Sequence, residues 1–247
     1  MKTQTGESQR DQKAGGWAAL YLAVAYLVAM PYFLLFSDYQ SVTAPAKKVA
    51  VLVAEHDGMR VVELITYVVF GVVLAVLALA LYRRLKDATP LLAQTAAVVG
   101  LIWAAMLVAS GLVFNAGADA VVALSGTDPG QAAALWQAVE PVSEGLGGAG
   151  GELLGGLWVL LVSVAALRGR ALPRPLVWLG VVVGTAGLLS VAPALAGLAY
   201  LFGLLQIAWL VWLGVVLLRT ARQPEAAAAR DTAGASPGRL VAQREVS

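Results

Sequence analysis

Apolar runs of about twenty residues alternate along this chain with short polar or charged intervals. A run of that length, coiled as a helix, crosses a hydrocarbon layer of about 30 Å. The pattern predicts spans at 16–36, 59–82, 91–115, 143–167, 176–193 and 198–218. The last two come from one uncharged stretch of 43 residues, 176–218, which is too long for a single crossing. Arginines flank it on both sides, so it must cross an even number of times, and Pro193 and Gly197 supply the hairpin. The fold class expected is all-α, a polytopic membrane bundle of six transmembrane helices.

The polar intervals carry structure of their own. In 37–58, Pro45 opens a short helix to Glu55, with Val49, Leu52 and Val53 as its apolar stripe. In 116–141, Thr127, Asp128 and Pro129 form a helix-start signal ahead of a helix over 132–140. Each proline-started helix ends in an acid and leads into a span bearing a carboxylate, a weak internal echo. Residues 1–15 and 219–247 read as a disordered arm and a disordered tail around a membrane domain at 16–218.

Charge orients the bundle. The arm, the two short basic turns and the tail hold fourteen of the seventeen Lys and Arg, leaving Lys47, Lys48 and Arg60 on the other side. By the positive-inside rule both termini are cytoplasmic, in a multi-pass protein of the cytoplasmic membrane. Composition agrees: 60% of residues are apolar and mean hydropathy is +0.78. A net charge of +2 gives nucleic-acid binding no support. The absence of cysteine excludes disulfides and thiolate chemistry, and a single histidine, His56, excludes bis-histidine haem. No lysine lies inside a span, so a retinal-type Schiff base has no attachment point. No metal and no cofactor is expected.

One stretch, from Glu140 to Gly156, mixes three carboxylates with seven glycines and runs into an apolar span. Glu152 is the leading candidate for a ligand or ion site, because a carboxylate inside a span is costly and marks function by default. On a continuous helix Glu144, Gly148 and Glu152 would share a face. Glu63 is the second candidate. Arg60, three residues before it, would pair with it at the interface or reach Glu152 at similar depth. Gly147, Gly151 and Gly155 fit a small-residue stripe for close helix packing. The same glycines also fit an unwound segment lining a cavity. A G-x-G-x-x-G match at 145–150 is no dinucleotide fingerprint, since no strand precedes it.

The segments Leu-Ala-Leu-Tyr-Arg-Arg-Leu at 79–85, Pro-Arg-Pro-Leu-Val-Trp-Leu-Gly at 173–180 and Trp-Leu-Val-Trp-Leu-Gly at 209–214 carry a resemblance. Over about residues 14–219 the chain resembles a family of bacterial six-span integral membrane proteins of unknown function, common in actinobacteria. The resemblance implies the fold and the membrane location, and no catalytic residues. The expected function is a non-enzymatic bundle that binds a partner membrane protein, a second copy or a small apolar ligand within the lipid bilayer. The alternative is a small transporter or channel subunit coupled through Glu63 and Glu152. An intramembrane enzyme has the least support, since no catalytic set is visible.

Overall fold

The computed structural model describes residues 2–148 and 152–234. Those residues form helices and short connections, with no strand among them. The helices are α1 (Lys2–Pro31), α2 (Pro45–Glu63), α3 (Phe70–Leu85), α4 (Pro90–Ser125), α5 (Pro129–Gly147), α6 (Leu153–Gly169), α7 (Arg174–Leu189) and α8 (Leu198–Gly234). Two π-helical segments interrupt the regularity, Tyr32–Phe36 after α1 and Leu64–Val69 between α2 and α3.

Four helical stretches are long and apolar enough to cross a membrane: Gln9–Pro31, Pro45–Leu85, Pro90–Ser125 and Leu198–Ala221. Two shorter apolar helices, Leu153–Gly169 and Arg174–Leu189, complete the set. Val61, Ile65, Val69, Val72, Val76 and Leu79 form an exposed apolar face along one of them. A soluble surface does not carry such a stripe, and a lipid-facing one does. This is a membrane protein.

Six helices close a ring. α1 packs on α3 and α8, α4 on α3 and α6, and α7 on α6 and α8. Small residues set the closest approaches. A Cβ added at Gly156 of α6 would fall 2.7 Å from the Leu188 backbone nitrogen of α7, and one at Gly214 of α8 would fall 2.9 Å from the Gly16 carbonyl of α1. The interior is filled by leucines such as Leu22, Leu74, Leu77 and Leu213 and by a run of aromatic rings. Tyr26, Phe70, Trp103, Trp158 and Trp209 follow one another with centroid separations of 5.4, 6.3, 5.8 and 5.9 Å. At the arginine-rich end, the Arg84 guanidinium donates to the Ala171 carbonyl at 3.0 Å and to Thr220 at 3.2 Å, tying the end of α3 to the α6–α7 turn and to α8.

The other end carries a cap. α2 and α5 pack on each other and on the last turns of α4. A second core of Leu52, Met59, Phe114, Val121, Ala132 and Trp136 fills the junction. Trp136 is fully buried, edge-on to Phe114 at 5.2 Å, and donates to the Tyr39 hydroxyl at 2.9 Å. Tyr39 donates to Glu140, which also pairs with Lys48. The loop before α2 is thereby fastened to α5.

Five expectations change. Pro45 and Pro129 do open helices, but α2 runs through Glu55 and on into the second span without a break. Leu52 and Met59 bury the same side of it, before and after the acidic turn. Likewise α4 continues past Asn115 to Ser125, because the Ala and Val that follow keep burying a face against α5. The fourth span, expected as one helix over 143–167, is instead two helices broken at Gly148, whose φ is +107°. Residues 9–15, expected in a disordered arm, are helical, and Asp11 pairs with Arg83. Helix α8 likewise runs to Gly234, and the remaining tail from 235 lies outside the described residues.

Candidate functional site

The break between α5 and α6 faces the π-helical segment. A π turn admits one extra residue and re-aims the side chains around it, which is why such turns gather at functional sites. Here it presents Thr66 and Tyr67 to the bundle interior. The Tyr21 hydroxyl donates to the Ile65 carbonyl at 2.9 Å and Thr66 donates to the Val62 carbonyl at 2.7 Å, so carbonyls in and just before the irregular turn are occupied. On the opposite side Gly147 lets Tyr67 approach. A Cβ there would stand 2.9 Å from the tyrosine ring and 2.8 Å from the Ser110 hydroxyl. Ser110 and Ser143 lock α4 to α5 by reciprocal bonds to each other's carbonyls, at 2.8 and 3.2 Å.

Glu152 is the residue that precedes α6. Its backbone N–H donates to Ser190, the residue after α7, at 2.9 Å, and Ser190 in turn donates to the Gly187 carbonyl at 2.7 Å. The Glu152 carboxylate has no hydrogen-bond or ion-pair partner among the described residues. It lines a cavity of about 100 Å³ together with Tyr26, Thr66, Tyr67, Phe70 and Trp103. It also lines an adjoining groove of about 400 Å³, shared with Trp103 and with Ile102, Met106, Leu153 and Val191. Ile102, Leu153 and Val191 are exposed, so this groove opens on the lipid-facing surface.

Glu63 is buried, one helical turn from Tyr67, and has no partner among the described residues. Tyr67 lies within electrostatic reach of Glu63, Glu152 and Glu144 alike. The Arg60 pairing with either glutamate is not seen. Arg60 donates to both oxygens of Asp119, at 2.8 and 2.9 Å, and Asp119 also bonds His56 at 2.8 Å. A partner on α4 was within reach because α4 continues that far as helix. Glu144 sits on α5, exposed, and does not share a helix face with Glu152. Gly147 and Gly155 belong to different helices. Gly155 admits Trp103 and Phe202, at 2.9 Å from where its Cβ would be. Gly151 lies outside the described residues.

Sequence reasoning missed Tyr26, Thr66 and Tyr67, although Tyr67 follows Glu63 at the i+4 spacing that places both on one face. It also missed Ser163 and Gln206, both buried in the ring, with Ser163 Oγ and the Gln206 amide unpartnered among the described residues. Chemically the arrangement can hold a small cationic or hydrogen-bonding group against aromatic faces. It contains no nucleophile–base pair, and among the described residues no group of His, Asp and Glu stands close enough to hold a metal ion.

No curated protein and no solved structure matches the chain. A family model does match, over residues 17–220, a stretch that takes in the cap, Glu63 and Glu152. The chain belongs to the family described as Domain of unknown function (DUF4386).

Proposed function

We propose that this protein is a multi-pass component of the cytoplasmic membrane, with six crossings and both termini inside, that binds a small ligand within its bundle. One observation carries the binding site: the Glu152 carboxylate, without a partner among the described residues, stands where an aromatic cavity meets a groove open to lipid. The shorter helices α6 and α7 supply the fifth and sixth crossings needed by the excess of Lys and Arg at one end.

Native mass spectrometry of protein purified from its own membranes in mild detergent tests the binding. A retained small mass, lost when Ala29→Phe fills the cavity wall, is expected. A bare chain in both samples sinks the proposal. A second polypeptide at fixed stoichiometry replaces it with an accessory-subunit role. The orientation is tested apart from this. The chain has no cysteine, so Asp87→Cys and Asp128→Cys each carry a unique label site. An impermeant maleimide should reach position 128 in intact cells and position 87 only after permeabilisation. The opposite result overturns the topology.

A second reading, a small transporter or channel subunit, is favoured by the broken helix beside two carboxylates, a feature that transporters use at their binding sites. Against it, the aromatic run and the packed leucines beyond Trp103 leave no path toward the arginine-rich end. Cation flux in liposomes that vanishes with Glu152→Gln would decide for transport.

A further inference from the structure

Resting on the binding reading above, we infer that the ligand is a lipophilic ammonium: a small cationic head on an apolar chain. The two spaces divide that molecule between them. The inner cavity, about 100 Å³, has room for about three waters at about 30 Å³ each, which suits a head group and nothing larger. Its walls are the rings of Tyr26, Tyr67, Phe70 and Trp103, and aromatic faces attract a cation when water is excluded. Its one carboxylate, Glu152, has no cationic partner among the described residues, and the buried Glu63 adds a second carboxyl group beyond Tyr67. An anionic head would meet the Glu152 carboxylate with no cationic side chain in the cavity lining to offset it. A neutral head would leave Glu152 without a counter-charge.

The groove accounts for the rest of the ligand. It holds about 400 Å³ and is lined by Met106, Leu154 and the exposed Ile102, Leu153 and Val191. Glu152 and Trp103 border both spaces, so a chain lying in the groove delivers its head to the carboxylate. Entry is from the bilayer, sideways. Water-soluble cations lack the half of the molecule that the groove would bury.

The experiment uses the full chain in phosphatidylcholine nanodiscs, with empty nanodiscs subtracted, and follows tryptophan emission. Trp103→Phe identifies the reporter. Three probes are titrated: dodecylammonium, dodecanol and tetramethylammonium. Saturable binding of dodecylammonium is expected, about tenfold tighter than dodecanol or tetramethylammonium, and about tenfold weaker in the isosteric Glu152→Gln. Val191→Trp, which fills the groove from its exposed rim, should weaken dodecylammonium and leave tetramethylammonium unchanged. Equal affinity for dodecanol and dodecylammonium, or indifference to Glu152→Gln, overturns the ammonium assignment while binding in the cavity stands. Binding of none of the three also overturns it. If native mass spectrometry then shows a retained mass, the site takes another ligand, and if it shows none, the binding reading falls as well.

Discussion

Tyr39 holds the cap by one oxygen. Its hydroxyl accepts from Trp136 and donates to Glu140, so the link needs the neutral phenol. Burial, and then the hydrogen bond to Glu140, hold its pKa well above the ordinary range. An unfolded tyrosine ionises near pH 10, and the folded one later. The contribution is therefore complete below about pH 10 and declines as pH rises beyond it, where only the unfolded chain gains charge. Tyr39→Phe leaves the Trp136 N–H without its acceptor, at a cost of about 1–3 kcal/mol, and should flatten the alkaline loss. Thermal unfolding between pH 7 and 11 checks both. Arg170 is a different case. It caps α6 with φ of 50°, the left-handed region, and is exposed. Side chains other than glycine are strained there by about 1–2 kcal/mol. Arg170→Gly should raise the melting temperature, and an unchanged or lower value would mean that its charge holds more than its backbone costs.

At the scale of elements, the site is made by two departures from regular helix that face each other. Gly148 ends α5 in a conformation closed to other residues, and the π segment adds a residue to the opposite wall. Gly148→Ala should cost about 1 kcal/mol or more in stability and loosen the hold on Glu152. Hydrogen exchange at the start of α6 would report the loosening. Deleting one residue from Leu64–Val69 should restore an α-helical count and swing the residues on one side of the deletion by about 100° relative to the other. The expected outcome is a folded bundle with no retained ligand. Retention after such a deletion would show that the π turn is incidental to the site.

For the whole molecule, much of the helical pattern was legible because it is written locally. Pro45 and Pro129 open helices where proline suits the first turn, and Pro193 and Gly197 turn the last hairpin. What was illegible depends on partners far along the chain. The span expected to end at 115 continues as α4 to Ser125, and Asp119 beyond that point is met by Arg60 and His56 from α2. The glycines at 145–156 fit a packing stripe and an unwound turn equally well, and only the geometry of Gly148 separates the two. Glu152 was visible as a buried acid, while the tyrosines around it looked like ordinary interior aromatics.

The ring has a seam, and the seam has a timetable. Its joint between α1 and α8, sealed where Gly214 meets Gly16 and where Thr220 donates to Gln12, unites two helices far apart in the sequence. Until α8 is made, the nascent ring is an open arc with two unmatched edges in lipid. Closure therefore waits for α8, and contacts between such distant segments are the slowest to form. A chain stopped at residue 197 should remain an arc, and pulse-chase labelling should show it degraded far sooner than the full protein. Supplying α8 as a separate peptide should rescue it, which makes the last helix a clasp rather than one more stave.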